Sequence, residues 1–282
     1  MPLFRTKEKL PGDPVFKTED FFRRHPVFTF EAFRREGERQ GLWKTALAAR
    51  IKYAIERGRL KLLEKGLYAA VPPGVRATEF VPDRFLVAAA LRDDAVLAYH
   101  SALELLGFAH SVYRDVYYLT ARRRQDLRLP GGRVRALLSP KALRECRCEH
   151  FAVETRERLG VKIRVTGPER TLVDCFSAPR YAGGLEEVME SARAIAVLEL
   201  EVLGAYLDLL DERRLFAILG FFLEQQAQRL FVPSTFLERL ERNRPASKVY
   251  LDKHQRGGRL VRRWNLVVPE RWMTAGDIGE RV

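Results

Sequence analysis

The chain has 282 residues, 46% hydrophobic and 31% charged, a balance that excludes a disordered or low-complexity protein. Lys and Arg total 50 against 37 Asp and Glu, a net charge of +13, which favours polyanionic partners: DNA, RNA or an acidic membrane face. No apolar run approaches the ~20 residues of a spanning helix, and the opening MPLFRTKEKLPGDP lacks the apolar centre of a signal peptide, so a cytoplasmic protein with no membrane partner is expected.

Residues 1–16 hold Pro2, Pro11, Gly12 and Pro14 without periodicity and read as a flexible arm. TEDFFRRH then predicts a helix capped by Thr18, with acids in its first turn. Val27–Phe30 reads as a short strand, EAFRREGERQ as a second helix, and Gly41 as a turn. Over Lys44–Arg57 a spacing of about 100° per residue places Leu47, Ile51, Ala54 and Ile55 on one inward stripe. Thr45, Ala49, Lys52 and Tyr53 fall opposite, with Arg50 and Arg57 on the flank, and the alanines at 46, 48 and 49 keep the helix slim. A slim basic helix suits the ~12 Å major groove of DNA. Gly58 ends it. RLKLL and GLYAAV then predict a hairpin around Glu64-Lys65-Gly66 that carries Arg59, Lys61 and Lys65. Three helices and a basic hairpin in this order predict a winged helix-turn-helix over residues 17–78, with a domain boundary in the Pro72-Pro73-Gly74 break between residues 72 and 82.

The remainder, 79–282, reads as a larger domain of mixed α/β structure, making the whole chain α+β. DRFLVAAAL and AYHSALELLG are helical; VYYLT, GRVRALL, FAVETRE and VKIRVT are strands. Pro168 and Glu169 suit the first turn of a helix through Ser177. Three helical runs follow from Gly184 to Leu230, then a helix capped by Ser234, and VYL and LVRRWNLVVP close the chain as strands on which Arg262 and Arg263 alternate faces.

Chemical motifs are sparse. No phosphate-binding Gly loop occurs, and the Gly pairs at 131–132 and 183–184 read as turns. Cys146, Cys148 and His150 cluster soft ligands, but the spacing falls short of a zinc motif and no second pair follows. With Cys175 the cysteines number three, too few for a disulfide framework. Glu154, Glu157 and Lys162 flank a strand without a third acid to complete a Mg²⁺ site. No nucleophile elbow is present. A non-enzyme without metal or cofactor is therefore expected.

Three segments taken together, FEAFRREG…TALAARIKYAIERGRLKLLEKGLYAAVP (Phe30–Pro72), AYHSALELLGFAH (Ala98–His110) with VTGPERTLVDCF (Val165–Phe176), and GGRLVRRWNLVVP (Gly257–Pro269), resemble the antitoxin of the AbiE abortive-infection systems. The resemblance implies a type IV antitoxin of phage defence, encoded beside a nucleotidyltransferase-like toxin that it opposes without a stable complex. It also implies a winged helix that binds inverted repeats in double-stranded promoter DNA and represses its own operon. On that reading Lys44, Thr45, Ala49, Lys52 and Tyr53 lie along the groove, with Lys52 and Thr45 at base edges. Arg50, Arg57, Arg59, Lys61 and Lys65 contact phosphates. Arg170 is expected in an internal ion pair, Tyr99 and His100 fit core or surface, and Arg122–Arg124 and Arg262-Arg263 either extend the DNA track or serve solubility. Alternatives are a stand-alone ligand-responsive regulator and a DNA-acting nuclease.

Overall fold

A computed structural model describes residues 16–122, 124–252, 257–273 and 280–281. The predicted arm, up to residue 15, lies outside them, as do Arg123 and His254. The chain divides into two compact units: one runs through Leu91 and takes in Glu157–Val161; the other comprises Arg92–Arg156 and the chain from Lys162 onward.

Unit 1 begins with α1 (Thr18–Arg24), β1 (Val27–Thr29), α2 (Phe30–Arg39), α3 (Lys44–Glu56), β2 (Leu60–Glu64) and β3 (Leu67–Ala70), and adds α4 (Arg84–Ala90). The three strands form an antiparallel sheet in the order β1-β3-β2, with Val27 opposite Ala69 and Leu60 opposite Ala70. Gly66 turns β2 into β3 at a φ of +82°, a conformation that glycine adopts without strain. Phe16, Phe21, Phe22, Phe28 and Phe33 build an aromatic core, onto which α3 lowers Leu47, Ile51 and Ala54. The Phe21 and Phe33 rings meet edge to face at 5.0 Å, a geometry aromatic quadrupoles favour. Gly37 brings α2 close to α3, because a Cβ there would sit 2.4 Å from a Leu47 methyl.

Local details of unit 1 differ from the sequence reading. Lys17, not Thr18, occupies the N-cap of α1, and no side chain caps it. Thr29 does cap α2, its hydroxyl accepting from the Ala32 amide at 3.2 Å. Ile55 is 37% exposed and not part of the inward stripe. Pro72–Gly74, where the domain boundary was expected, lies inside unit 1, which continues through α4. Asp83 caps α4 by accepting from Phe85 and Leu86 amides at 3.0 Å. Its other oxygen pairs with Arg158 at 2.6 Å, and the Arg158 guanidinium lies over the Phe85 ring, so residues 157–161 are tied to α4.

Unit 2 contains β4 (Val96–Leu97), α5 (His100–Leu106), β5 (Val116–Thr120), β6 (Leu127–Leu129), β7 (Gly132–Leu138), α6 (Lys141–Glu145), most of β8 (Val153–Arg158) and β9 (Val161–Thr166), and the helices α7 (Pro168–Ser177), α8 (Leu185–Ala194), α9 (Leu200–Leu210), α10 (Arg213–Gln225) and α11 (Ser234–Arg242). The strands form a mixed sheet, β6-β7-β5-β4-β9-β8, in which β7 runs parallel to β5 and β9 parallel to β4. A second sheet, β10-β12-β11-β13, joins Val249–Tyr250, Leu266–Val268, Arg259–Val261 and Glu280–Arg281. The architecture is thus mixed α and β, as the sequence predicts.

The core of unit 2 gathers around α7, buried from Glu169 to Phe176, and α10, buried from Leu215 to Leu223. Trp264 is fully buried over Gly220 of α10, where a Cβ would come within 2.1 Å of the indole. Its Nε1 donates to Glu224 at 2.6 Å. This contact explains why LVRRWNLVVP is not one strand. Residues Arg262–Trp264 form a 3₁₀ turn, and Asn265 takes φ +49°, which swings the indole inward between β11 and β12. Pro233 rather than Ser234 is the N-cap of α11. The short β6 and α6 were not legible, being three and five residues long. Among the described residues no helix is long and apolar enough to cross a membrane.

Candidate nucleic-acid interface

α3 carries an exposed row formed by Lys44, Thr45, Ala48, Ala49, Lys52, Tyr53 and Glu56, the i, i+1, i+4, i+5 spacing of one helical face. The Lys52 side chain is 80% exposed, and its ammonium lies 3.9 Å from Glu56, a loose surface pair. Tyr53 is 53% exposed with the Arg57 guanidinium 5.3 Å above its ring. Lys65 is exposed in the turn before Gly66, at the tip of the β2–β3 hairpin. Lys44, Thr45, Ala49, Lys52, Tyr53, Arg57 and Lys65 are thus all exposed on unit 1.

Three of the proposed phosphate contacts have partners inside unit 1. Arg50 is half-buried: its Nη1 donates to the Phe16 carbonyl at 3.2 Å and the Thr18 hydroxyl at 3.0 Å. Arg59 is ion-paired with Glu19. The Lys61 ammonium donates to the Phe80 carbonyl at 2.6 Å, which ties the hairpin to the segment before α4. These groups orient α1, the hairpin and that segment while keeping their charge, and Arg59 remains about half exposed.

Trp43, the residue before α3, was missed as a candidate and is 80% exposed. Leu62 on β2 is 53% exposed. Trp43 is thus a large apolar side chain in water at the head of α3. The signal was present in Trp43-Lys44-Thr45, where the inward periodicity has not yet begun.

The polar cluster around His100 and Glu187 in unit 2 is internally satisfied. His100 is fully buried, with Nδ1 3.1 Å from Glu104 and Nε2 3.2 Å from Glu187. Glu187 also accepts from the His110 amide, the Ser111 amide and hydroxyl, and the Ser191 hydroxyl, at 2.6–3.0 Å. Burial pushes the Glu187 carboxyl up, but the Ser111 and Ser191 bonds and the influence of His100 outweigh it and hold the group below its ordinary value. The carboxylate staples the loop after α5 to α8. Tyr99 and His100, open between core and surface in the sequence, are both buried.

The Cys146 and Cys148 sulfurs are placed as a disulfide, and His150 is exposed. Among the described residues no group of three or more His, Cys, Asp or Glu is placed to hold a metal ion. Glu154 pairs with Arg156 at 2.5 Å. Arg263 is held by Glu224 and Glu241, while Arg122 and Arg262 are exposed.

No family model and no curated protein matches the chain. Among solved structures it is similar to the crystal structure of the RV2827C protein from Mycobacterium tuberculosis, with a TM-score of 0.56 and 18% sequence identity over 89% of each chain. At that identity the likeness concerns the fold alone.

Proposed function

We propose that unit 1 is a winged helix that lays α3 in the major groove of duplex DNA, with the β2–β3 hairpin as its wing. The single observation that carries this reading is the exposed Lys44–Tyr53 row on a helix whose opposite face is fixed in an aromatic core. The order of elements, α1, β1, α2, α3, β2, β3, supports it. So does the net charge of +13. Lys52 and Thr45 face base edges; Trp43, at the head of α3, adds apolar contact; Arg57 and Lys65 meet phosphates. By the sequence resemblance we extend the proposal to an autorepressor that acts as the antitoxin of a type IV system on inverted-repeat promoter DNA.

The test is a binding titration at several salt concentrations on the chain's own promoter. Lys65→Ala is expected to weaken all sequences alike and lower the salt slope by roughly one unit. Lys52→Ala is expected to cost about 1–3 kcal/mol on the cognate site and relax sequence preference. Lys61→Ala should leave the slope nearly unchanged, because its ammonium is committed to the Phe80 carbonyl. Unchanged slope and unchanged preference in the Lys65 and Lys52 variants would reject the docking mode. Growth rescue on co-expression with the toxin encoded beside it tests the antitoxin role separately; no rescue leaves a plain repressor.

A further inference from the structure

Unit 1 contains a half-open cleft of about 570 Å³, lined by residues of α1, Pro26, the Arg57–Arg59 turn and the Ala70–Val75 segment. That volume is within the ~300–1,000 Å³ of small-molecule sites. Its position separates it from Lys44, Thr45 and Lys65, while Arg57 belongs both to its lining and to the proposed phosphate contacts. Leu60 and Ala70 are paired at the base of the hairpin, the end away from Lys65. Arg57 follows the last residue of the 13-residue α3, so ~20 Å of helix separate it from Lys44.

The lining combines apolar walls with an excess of cations. Phe22, Pro26, Val71 and Val75 give it a greasy side; Arg23, Arg57 and Arg59 face one acid, Glu19. Three cations and one anion line the concavity, and Arg23 also pairs with Asp20 at 3.7 Å, so Arg57 and Arg59 supply the cationic side. Glu19 is ion-paired with Arg59, but both side chains are about half exposed, so an incoming anion can displace that pair. Arg57 has a second attachment, its cation–π contact with Tyr53.

We propose that this cleft binds a small organic anion, an apolar body bearing one carboxylate or phosphate. Arg57 and Arg59 take the charge, and Phe22, Pro26 and Val75 seat the body. Drawing Arg57 into the cleft lifts its guanidinium off Tyr53, so occupancy is reported to the exposed face of α3. The consequence for DNA binding rests on the function proposed above; the site itself does not, and is tested on the free protein.

The probes are benzoate and phenyl phosphate, with benzyl alcohol as the uncharged control, titrated into the full chain and followed by NMR at the Gly58, Ala70 and Gly74 amides and the Tyr53 ring. Both anions are expected to shift these signals saturably, and benzyl alcohol is not. Arg57→Gln should bind benzoate about tenfold more weakly, the loss of one charge-assisted bond, and should abolish the Tyr53 response. Glu19→Gln, which frees Arg59, should bind more tightly. Absence of saturable shifts with either anion, equal shifts with benzyl alcohol, or unaltered binding in both variants would overturn the proposal. A parallel DNA titration without probe reads the docking mode independently: loss of DNA binding there leaves the cleft result standing.

Discussion

Replacing Trp264 by Ala is expected to destabilise unit 2 by about 3–5 kcal/mol, a fall in melting temperature of roughly 6–20 °C. The indole is fully buried, and the cavity left behind cannot be filled from α10, because Gly220 offers no side chain beneath it. Glu224 also loses the Nε1 donor at 2.6 Å, though Arg263 still holds its other oxygen. The pair makes a sharper test than either change alone. Gly220→Ala pushes a methyl to 2.1 Å from the ring and should cost about 1–3 kcal/mol in the native background. In the Trp264→Ala background the same methyl enters empty space and gains the better helix propensity of Ala, about 1 kcal/mol. Gly220→Ala should therefore change from destabilising to neutral or stabilising. Urea unfolding of the four proteins, followed by circular dichroism, measures the coupling. Additive effects would show that the indole does not rest on that helix.

The second large effect concerns Arg170, which is fully buried on α7. Its Nη1 donates to the Glu149 and Phe151 carbonyls at 2.8 and 2.7 Å, and its Nε lies 3.5 Å from Asp174. Asp174 in turn accepts from the Tyr206 hydroxyl at 2.6 Å. The ion pair expected for Arg170 is thus present, one helical turn away on α7. Arg170→Leu is expected to cost about 3–5 kcal/mol, because it strands a buried acid and two carbonyls. The sign of its pH dependence follows from Asp174. Burial pushes that carboxyl up, against the lowering effects of Arg170 and Tyr206. Without Arg170 the native-state value rises further while the unfolded value stays near 3.8. The folded variant then holds a proton that the unfolded chain releases, so its stability is greatest below the unfolded value and is lost as pH rises through the folded one. The gap from the native protein should therefore be wider at neutral pH than near pH 4. Arg170→Met combined with Asp174→Leu removes both charges and should recover much of the loss. Equal losses at both pH values in the single variant would contradict the account.

Much of unit 1 could be read from residue order because its cues are local. Gly58 and Gly66 mark the ends of α3 and β2 through their own backbone conformations. Leu47, Ile51 and Ala54 share a face by spacing alone. The fates of Arg50, Arg59 and Lys61 were not legible for the opposite reason. Their partners Phe16, Thr18, Glu19 and Phe80 are set by how α1 and the segment before α4 pack, and a charge on a helix or hairpin does not announce a distant carbonyl. In unit 2 the long amphipathic helices were plain, whereas the 3₁₀ turn at Trp264 was hidden in apparent strand alternation. Only the missing side chain of Gly220, far away in the chain, makes room for the indole.

Unit 1 is not continuous in sequence, since Glu157–Val161 belongs with it and Arg158 holds Asp83 and Phe85. During synthesis the helices and hairpin of the first 91 residues can assemble early, but the α4 region waits for Arg158 to leave the ribosome. A fragment released at Leu91 would keep α3 and its hairpin while α4 lost its guanidinium lid, so its C-terminal end should exchange amide protons sooner than the same stretch in the intact chain.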